Sequence, residues 1–179
     1  MTSTGSVSIA TTADIPELVI LINSAYRGEL SKKGWTTEAD LLDGQRTDEE
    51  SLRMLLSKPG SVLLKYMNEE NNISACVNLQ QQAQKLYLGM LTVSPTLQGA
   101  GIGKKLLAAS EHYARENKFE AIRMTVISIR SELIAWYERH GYCRTGETQP
   151  FPTGDPKFGI PRQFLEFVVL EKNIKVKGD

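Results

Sequence analysis

Apolar positions along the chain change period several times, and the changes mark out the elements. Val7 to Ala10 predict a short first strand. Ile15, Leu18, Val19, Ile22 and Tyr26 recur at helical spacing and predict a helix with one apolar face. Asp14 reads as its N-cap, with Pro16 in the first turn and Glu17 as the capping-box acid three residues on. This helix frays at Arg27-Gly28. Lys32 to Arg46 is a polar insertion holding one tryptophan and one short helix stopped by Gly44. Thr47 with Glu50 repeats the capping-box pattern and opens a helix whose core side is Leu52, Leu55 and Leu56, ended by Pro59-Gly60.

Strand-sized apolar runs follow at Ser61–Met67, Ile73–Leu79 and Leu86–Val93, joined by an Asn/Glu-rich turn and a Gln-rich loop. Such short polar connections predict antiparallel neighbours. After Leu86–Val93 the chain breaks at Ser94-Pro95, passes a glycine-dense turn and enters an amphipathic helix with Ile102, Leu106, Ala109, Ser110 and Tyr113 on one face. Ala121–Ile127 is the next strand, and the helix before it predicts a parallel pairing with Leu86–Val93. Glu132–His140 reads as a short helix closed by Gly141. Tyr142–Thr145 begins a further strand and Leu165–Glu171 is the last. Between them, Gln149–Pro161 holds four of the seven prolines, a loop long enough to suggest a functional wall.

Composition narrows the function classes. A chain of 179 residues supports a single domain over 1–179, with a core from about 7 to 172. Lys plus Arg (21) balances Asp plus Glu (21), so no global field draws the chain to nucleic acid or to an anionic membrane. The apolar runs are too short to span a bilayer, and Met1–Val7 lacks the pattern of a secretion signal. Cys76 and Cys143 lie far apart and predict two reduced thiols packed in strands, not a disulfide or a metal site. These features point to a cytoplasmic protein with no metal.

Chemistry concentrates where the helix of Ile102 begins. Gln98-Gly99-Ala100-Gly101-Ile102-Gly103 is poor in side chains, so the free N–H groups of the first helical turn and the positive end of the helix dipole lie open to a phosphate. The plainer reading is a glycine-rich turn with no ligand. Three glycines in five residues carry an entropic cost that favours a ligand. A P-loop does not fit, because Gly103-Lys104 is followed by Lys105 and Gln98 stands where the first glycine belongs. A dinucleotide fingerprint fails too, since the spacing is G-x-G-x-G. The spacing Gln-x-x-Gly-x-Gly through Gln98, Gly101 and Gly103, after a strand and before a helix, resembles the acyl-CoA motif of the GCN5-related N-acetyltransferase (GNAT) family. The element order β-α-α-β-β-β-α-β-α-β-β resembles that family from Val7 to the last strand, most strongly over Leu86–Gly146.

The resemblance implies an α/β fold with a mixed six- to seven-stranded sheet, flanked by helices and splayed at its central strands. It implies acetyl-CoA as co-substrate, held by a motif over residues 86–117. Pantetheine would lie along Leu91, Thr92 and Val93, and the turn from Gln98 through Gly99, Ala100, Gly101, Ile102 and Gly103 to Lys104 would hold the pyrophosphate. Leu133-Ile134-Ala135-Trp136-Tyr137-Glu138-Arg139-His140-Gly141-Tyr142 resembles the family's late helix, which makes Tyr137 the expected acid for the departing thiolate, or else a core aromatic. Arg130 stands where relatives often carry a cofactor-contacting Asn, and a guanidinium there can pair with a phosphate or a carboxylate or be solvated. Some relatives carry a catalytic carboxylate on the central strand, but Tyr87–Val93 holds none; the family topology then implies Glu29 or Glu38 as base, each otherwise a solvated surface carboxylate, or a water chain. Trp35, Arg46 and Phe151 are expected to line the acceptor pocket, with Arg46 able to grip a carboxylate and Trp35 equally readable as a core plug. Neither His112 nor His140 is assigned to catalysis. The expected function is acetyl transfer to a primary amine of a small molecule or a protein, in a possible homodimer. An acyl-CoA-binding or scaffolding module is the alternative, and a nucleotide-phosphate enzyme is a third reading weakened by the failed spacings.

Overall fold

The structure, a computed structural model, describes residues 5–152 and 159–174. Chain order is β1 (Ser6–Ile9), α1 (Ile15–Tyr26), α2 (Gly28–Ser31), β2 (Leu42–Asp43), α3 (Glu49–Ser57), β3 (Ser61–Met67), β4 (Ile73–Gln82) and β5 (Lys85–Val93). It continues with α4 (Ile102–Glu116), β6 (Ala121–Ile127), α5 (Ser131–Arg139), β7 (Cys143–Pro150), β8 (Ile160–Pro161) and β9 (Glu166–Asn173). Seven strands form one mixed sheet in the order β1-β3-β4-β5-β6-β9-β7, and β2 pairs with β8 apart from it. β3, β4 and β5 are antiparallel neighbours and β5 runs parallel to β6, as their connections predict. This is the mixed α/β sheet flanked by helices that the sequence resemblance implies.

Helices cover both faces. Leu106, Leu107 and Ala114 of α4 pack with Val77, Leu79, Leu86 and Met124 of the sheet. Leu18 and Ile22 of α1 and Leu52 of α3 bury the other face against Leu63 and Cys76. The core stripe of α4 is Ile102, Leu106, Leu107, Ser110 and Ala114, while the expected Ala109 and Tyr113 sit half-buried at its margin. Ser110 is tolerated in that stripe because its hydroxyl donates to the Leu106 carbonyl (2.8 Å).

Most departures from the sequence reading concern ends and turns. A 3₁₀ turn over Thr12–Asp14 precedes α1, so Asp14 does not cap it; the Asp14 carboxylate instead accepts from the Thr11 N–H (2.8 Å) and pairs with Lys65 (2.8 Å). Glu17 reaches across to the Ile73 N–H (2.8 Å). α3 is capped by Asp48, not Thr47, through the Ser51 N–H (2.7 Å). The short helix expected in the polar insertion falls earlier, at α2, and the insertion ends on β2. The Gln-rich stretch belongs to β4, which turns at Ala83 in the left-handed region (φ 53°). β7 runs on to Pro150, which shortens the expected Gln149–Pro161 loop, and residues 153–158 of that loop lie outside the described residues, as do 1–4 of Met1–Val7. Cys76 is buried and desolvation pushes its thiol up to about 12, whereas Cys143 is exposed rather than packed; both are free.

One irregularity positions the site. β5 opposes β4 in register at Thr92 and again at Gly89, with one extra residue on β5 between them and Met90 at φ 50°. This bulge turns the second half of β5 away from β6. The parallel pair holds through Lys85–Ala121, Leu86–Ile122 and Tyr87–Arg123 and then opens.

Two stability outcomes follow for urea unfolding. Leu106→Ala, removing a wholly buried side chain between α4 and the sheet, lowers stability by about 2–5 kcal/mol. Asp48→Ala, removing the α3 cap, lowers it by about 1 kcal/mol.

Candidate functional site

The gap between β5 and β6 opens onto two cavities. The first, about 380 Å³, lies against the glycine turn and the late helix α5. The second, about 430 Å³, lies beneath the end of α1, the polar insertion and Phe151. Tyr26, Leu91, Arg130, Leu133 and Tyr137 line both, so these residues form the junction.

The first cavity is shaped by the start of α4. Gly101 occupies the N-cap position at φ 82°, a conformation an L side chain rarely adopts, and contributes no side-chain cap. The first turn holds no acidic residue, and its opening helical bond is Lys105 N–H to the Gly101 carbonyl (3.1 Å). The amides of the residues before Lys105 therefore have no intrahelical partner and lie at the positive end of the dipole. Gly103 answers a separate need: a Cβ there would come to 3.3 Å from the Trp136 ring. Gly99, Ile102 and Lys104 also line this cavity, whereas Ala100 does not. The Gln98 side chain acts as a staple, accepting from the Trp35 N–H (2.9 Å) and donating to the Val93 carbonyl (3.2 Å). That staple brings Trp35 into the first cavity, 6.4 Å between ring centroids from Trp136, apart from Arg46 and Phe151 in the second.

At the junction, Tyr137 is 5% exposed and packs edge-on to Trp136 (5.1 Å) and Tyr142 (5.9 Å). Burial pushes its phenol far above the ordinary tyrosine value, so it stays protonated. Tyr26, also raised by burial to about 12, donates its hydroxyl to the Leu91 carbonyl (2.8 Å). Thr92 is buried, with its hydroxyl donating to the Met90 carbonyl across the bulge (2.9 Å).

Arg130 is not solvated. It is 6% exposed, and its Nη1 and Nη2 donate to Glu38 Oε1 (3.1 Å) and Thr36 Oγ1 (2.7 Å). Glu38 is buried as well, with its other oxygen taken by Arg27 Nε (3.0 Å). Both oxygens of Glu38 therefore face guanidiniums, and taking up a substrate proton would break an ion pair. Glu29 is exposed on α2, pairs with Lys32 (3.0 Å) and lines neither cavity. Arg46 and Phe151 both line the second cavity. His140 lines the first cavity, its Nδ1 2.7 Å from the Trp136 carbonyl.

Tyr26, Arg27 and Thr36 escaped the sequence reading. Tyr26 counted only as one apolar position of α1, and nothing local signals that Arg27 and Arg130 both reach Glu38, from three separate segments. Among the described residues no group of His, Cys, Asp and Glu gathers to hold a metal, and no helix is long and apolar enough to cross a membrane.

No curated protein matches the chain significantly. Among solved structures, the ribosomal-protein-S18-alanine N-acetyltransferase of Escherichia coli is 15% identical, covering 98% of this chain and 97% of its own, with a TM-score of 0.71. The ribosomal-protein-alanine N-acetyltransferase of Brucella melitensis is 20% identical over 94% and 99%, with a TM-score of 0.68. An acetyltransferase of the GNAT family from Staphylococcus aureus Mu50 is 17% identical over 96% and 100%, also at 0.68. These likenesses are likenesses of fold. The profile of the acetyltransferase (GNAT) family matches residues 20–142, more than half of the sequence, and the chain belongs to that family of acetyltransferases.

Proposed function

We propose that the chain transfers an acetyl group from acetyl-CoA to a primary amine of a small molecule or a protein, by direct attack at the junction of the two cavities. The observation that carries this reading is the start of α4, where uncapped amides and a side-chain-free turn open onto the gap beside β5. Those features suit a pyrophosphate. In this reading the turn from Gln98 to Gly103 holds the diphosphate, and Lys104 adds positive charge. The Leu91–Val93 edge, which has no strand partner on the β6 side, receives the pantetheine amides. Acetyl-CoA supplies a thioester whose carbonyl carbon bonds to the amine nitrogen while the C–S electron pair leaves on sulfur.

Tyr137 serves that departure. A tyrosine is a weaker acid than a thiol by about 1.5 pH units, so complete proton transfer in water runs uphill by about 2 kcal/mol. Desolvation disfavours the thiolate as well as the phenolate, and a hydrogen bond from a neutral Tyr137 to sulfur needs only the protonated form that burial maintains. Among the described residues no carboxylate at the junction is free to act as base, because Glu38 is held by two arginines and Glu29 is remote. The amine, whose own pKa is about 10, gives its proton to water along the cavity. Arg130 holds the cavity wall beside the thioester, and Phe151 and Arg46 shape the acceptor side. Trp35 closes the cofactor side. In this reading the enzyme is cytoplasmic.

Calorimetry should find acetyl-CoA bound with micromolar affinity and neither NAD nor ATP bound comparably; absence of acetyl-CoA binding would remove the proposal. Tyr137→Phe should lower kcat for an accepted amine about a hundredfold while acetyl-CoA affinity holds. Binding without thiol release on any amine would point to the non-catalytic module instead. Because burial raises the Tyr137 pKa, its donor form persists as pH rises, so kcat should show no tyrosine-dependent fall below about pH 10.

A further inference from the structure

The second cavity has an uneven charge. Arg27, Arg46 and Arg130 line it, and Glu38 is the one carboxylate among its described lining residues. Arginine keeps its proton at any working pH, so three guanidiniums face one carboxylate. Two of the three are occupied with Glu38. Arg46 is not: its guanidinium lies over the Tyr26 ring (5.3 Å to the centroid) and has no ion-pair or hydrogen-bond partner among the described residues.

Arg46 is nevertheless held in place. The Asn23 side chain accepts from the N–H of Arg46 (2.8 Å) and of Thr47 (3.0 Å) and donates to the Thr47 carbonyl (3.0 Å), clamping the loop that carries it. A second donor is idle on a residue of the same cavity wall. Arg130 Nε is fully buried and has no partner among the described residues. A buried cationic N–H without an acceptor is costly, and an arriving anion relieves that cost.

Other polar groups on the wall are already engaged. Asn78 donates to Ser61 Oγ (3.1 Å) and to the Val62 carbonyl (3.0 Å), and the Tyr87 and Thr125 hydroxyls bond each other (2.8 Å). Gln80 and Gln149 also line the cavity and are engaged, donating to Asn78 Oδ1 (2.7 Å) and Glu147 Oε1 (3.4 Å), and the apolar part of the wall is led by Phe151 and Phe167 with their rings 5.3 Å apart. Along the junction, the ring of Tyr26 spans the distance from Arg46 at one face to the Leu91 carbonyl at its hydroxyl. A guanidinium set one tyrosine ring away from the reaction edge matches a small amine that carries its own anion.

We propose that the acceptor is an amine bearing a carboxylate and an apolar body, of amino-acid type, with Arg46 binding the carboxylate. Polycationic acceptors such as polyamines or lysine-rich tails meet net positive charge here and are disfavoured. This inference rests on the acetyltransferase reading above.

The test compares leucine, methionine and phenylalanine with their carboxamides, and with spermidine, in an acetyl-CoA thiol-release assay run on wild type, Arg46→Gln and Arg46→Lys. Free amino acids should exceed their carboxamides in kcat/KM about tenfold or more in wild type. Arg46→Gln should raise KM for the free acids about ten- to hundredfold with kcat little changed, and Arg46→Lys should recover part of the loss. Equal or better use of carboxamides or spermidine overturns the assignment, as does an Arg46→Gln effect equal on acid and amide. If wild type binds acetyl-CoA in calorimetry but acetylates none of the free acids, the substrate class falls while the acetyl-CoA reading stands. If it binds no acetyl-CoA, both fall.

Discussion

The parallel pairing of β5 with β6 is deliberately incomplete, and the rest of the site depends on that. A parallel pair normally continues until one strand ends, because each added residue satisfies two backbone groups. Here it stops after Tyr87 although both strands run on. The extra residue at Met90, held in a left-handed conformation, redirects β5 while β4 stays paired on its other side. Tyr26 takes up the carbonyl of Leu91 in the redirected segment. The opening therefore exposes backbone groups in the middle of a sheet, where they would otherwise be consumed.

Around this opening the structure invests buried charge. Arg27 at the end of α1, Glu38 in the insertion and Arg130 at the start of α5 come from three segments far apart in sequence and are each less than a tenth exposed. A buried carboxylate facing two guanidiniums is expensive to desolvate, and loss of one partner from such a group typically costs about 3–5 kcal/mol. Apolar packing would join the same segments at smaller cost but would not fix their directions. The charged arrangement sets both the height of the insertion over the cavity and the position of Arg130 between the two halves of the site.

The apolar periods of α1, α4 and the strands were legible because they report directly on which face meets the core. The glycine turn was legible for a different reason: few sequences tolerate three glycines at a strand-to-helix turn unless the backbone itself is needed. What could not be read was choice among equivalent local partners. Asp14, Thr47 and Glu17 each satisfy a capping pattern, yet Lys65, the neighbouring Asp48 and the Ile73 N–H decide their fates, and two of those three lie far along the chain. Glu38 illustrates the limit for chemistry. As a carboxylate near the first helix it reads as a base or a surface group, and Arg27 together with Arg130, the latter from ninety-two residues away, turns it into an anchor. Gln98 was read for its backbone and proves to act through its side chain as well.

The chain has two tryptophans, and both line the first cavity, with Trp35 carried there by the Gln98 staple and Trp136 by α5. Their rings lie 6.4 Å apart and at different depths, Trp35 nearly half exposed. All indole emission from this protein therefore originates beside the glycine turn. The intrinsic fluorescence of the unlabelled chain is a local optical probe of that one cavity rather than an average over the molecule.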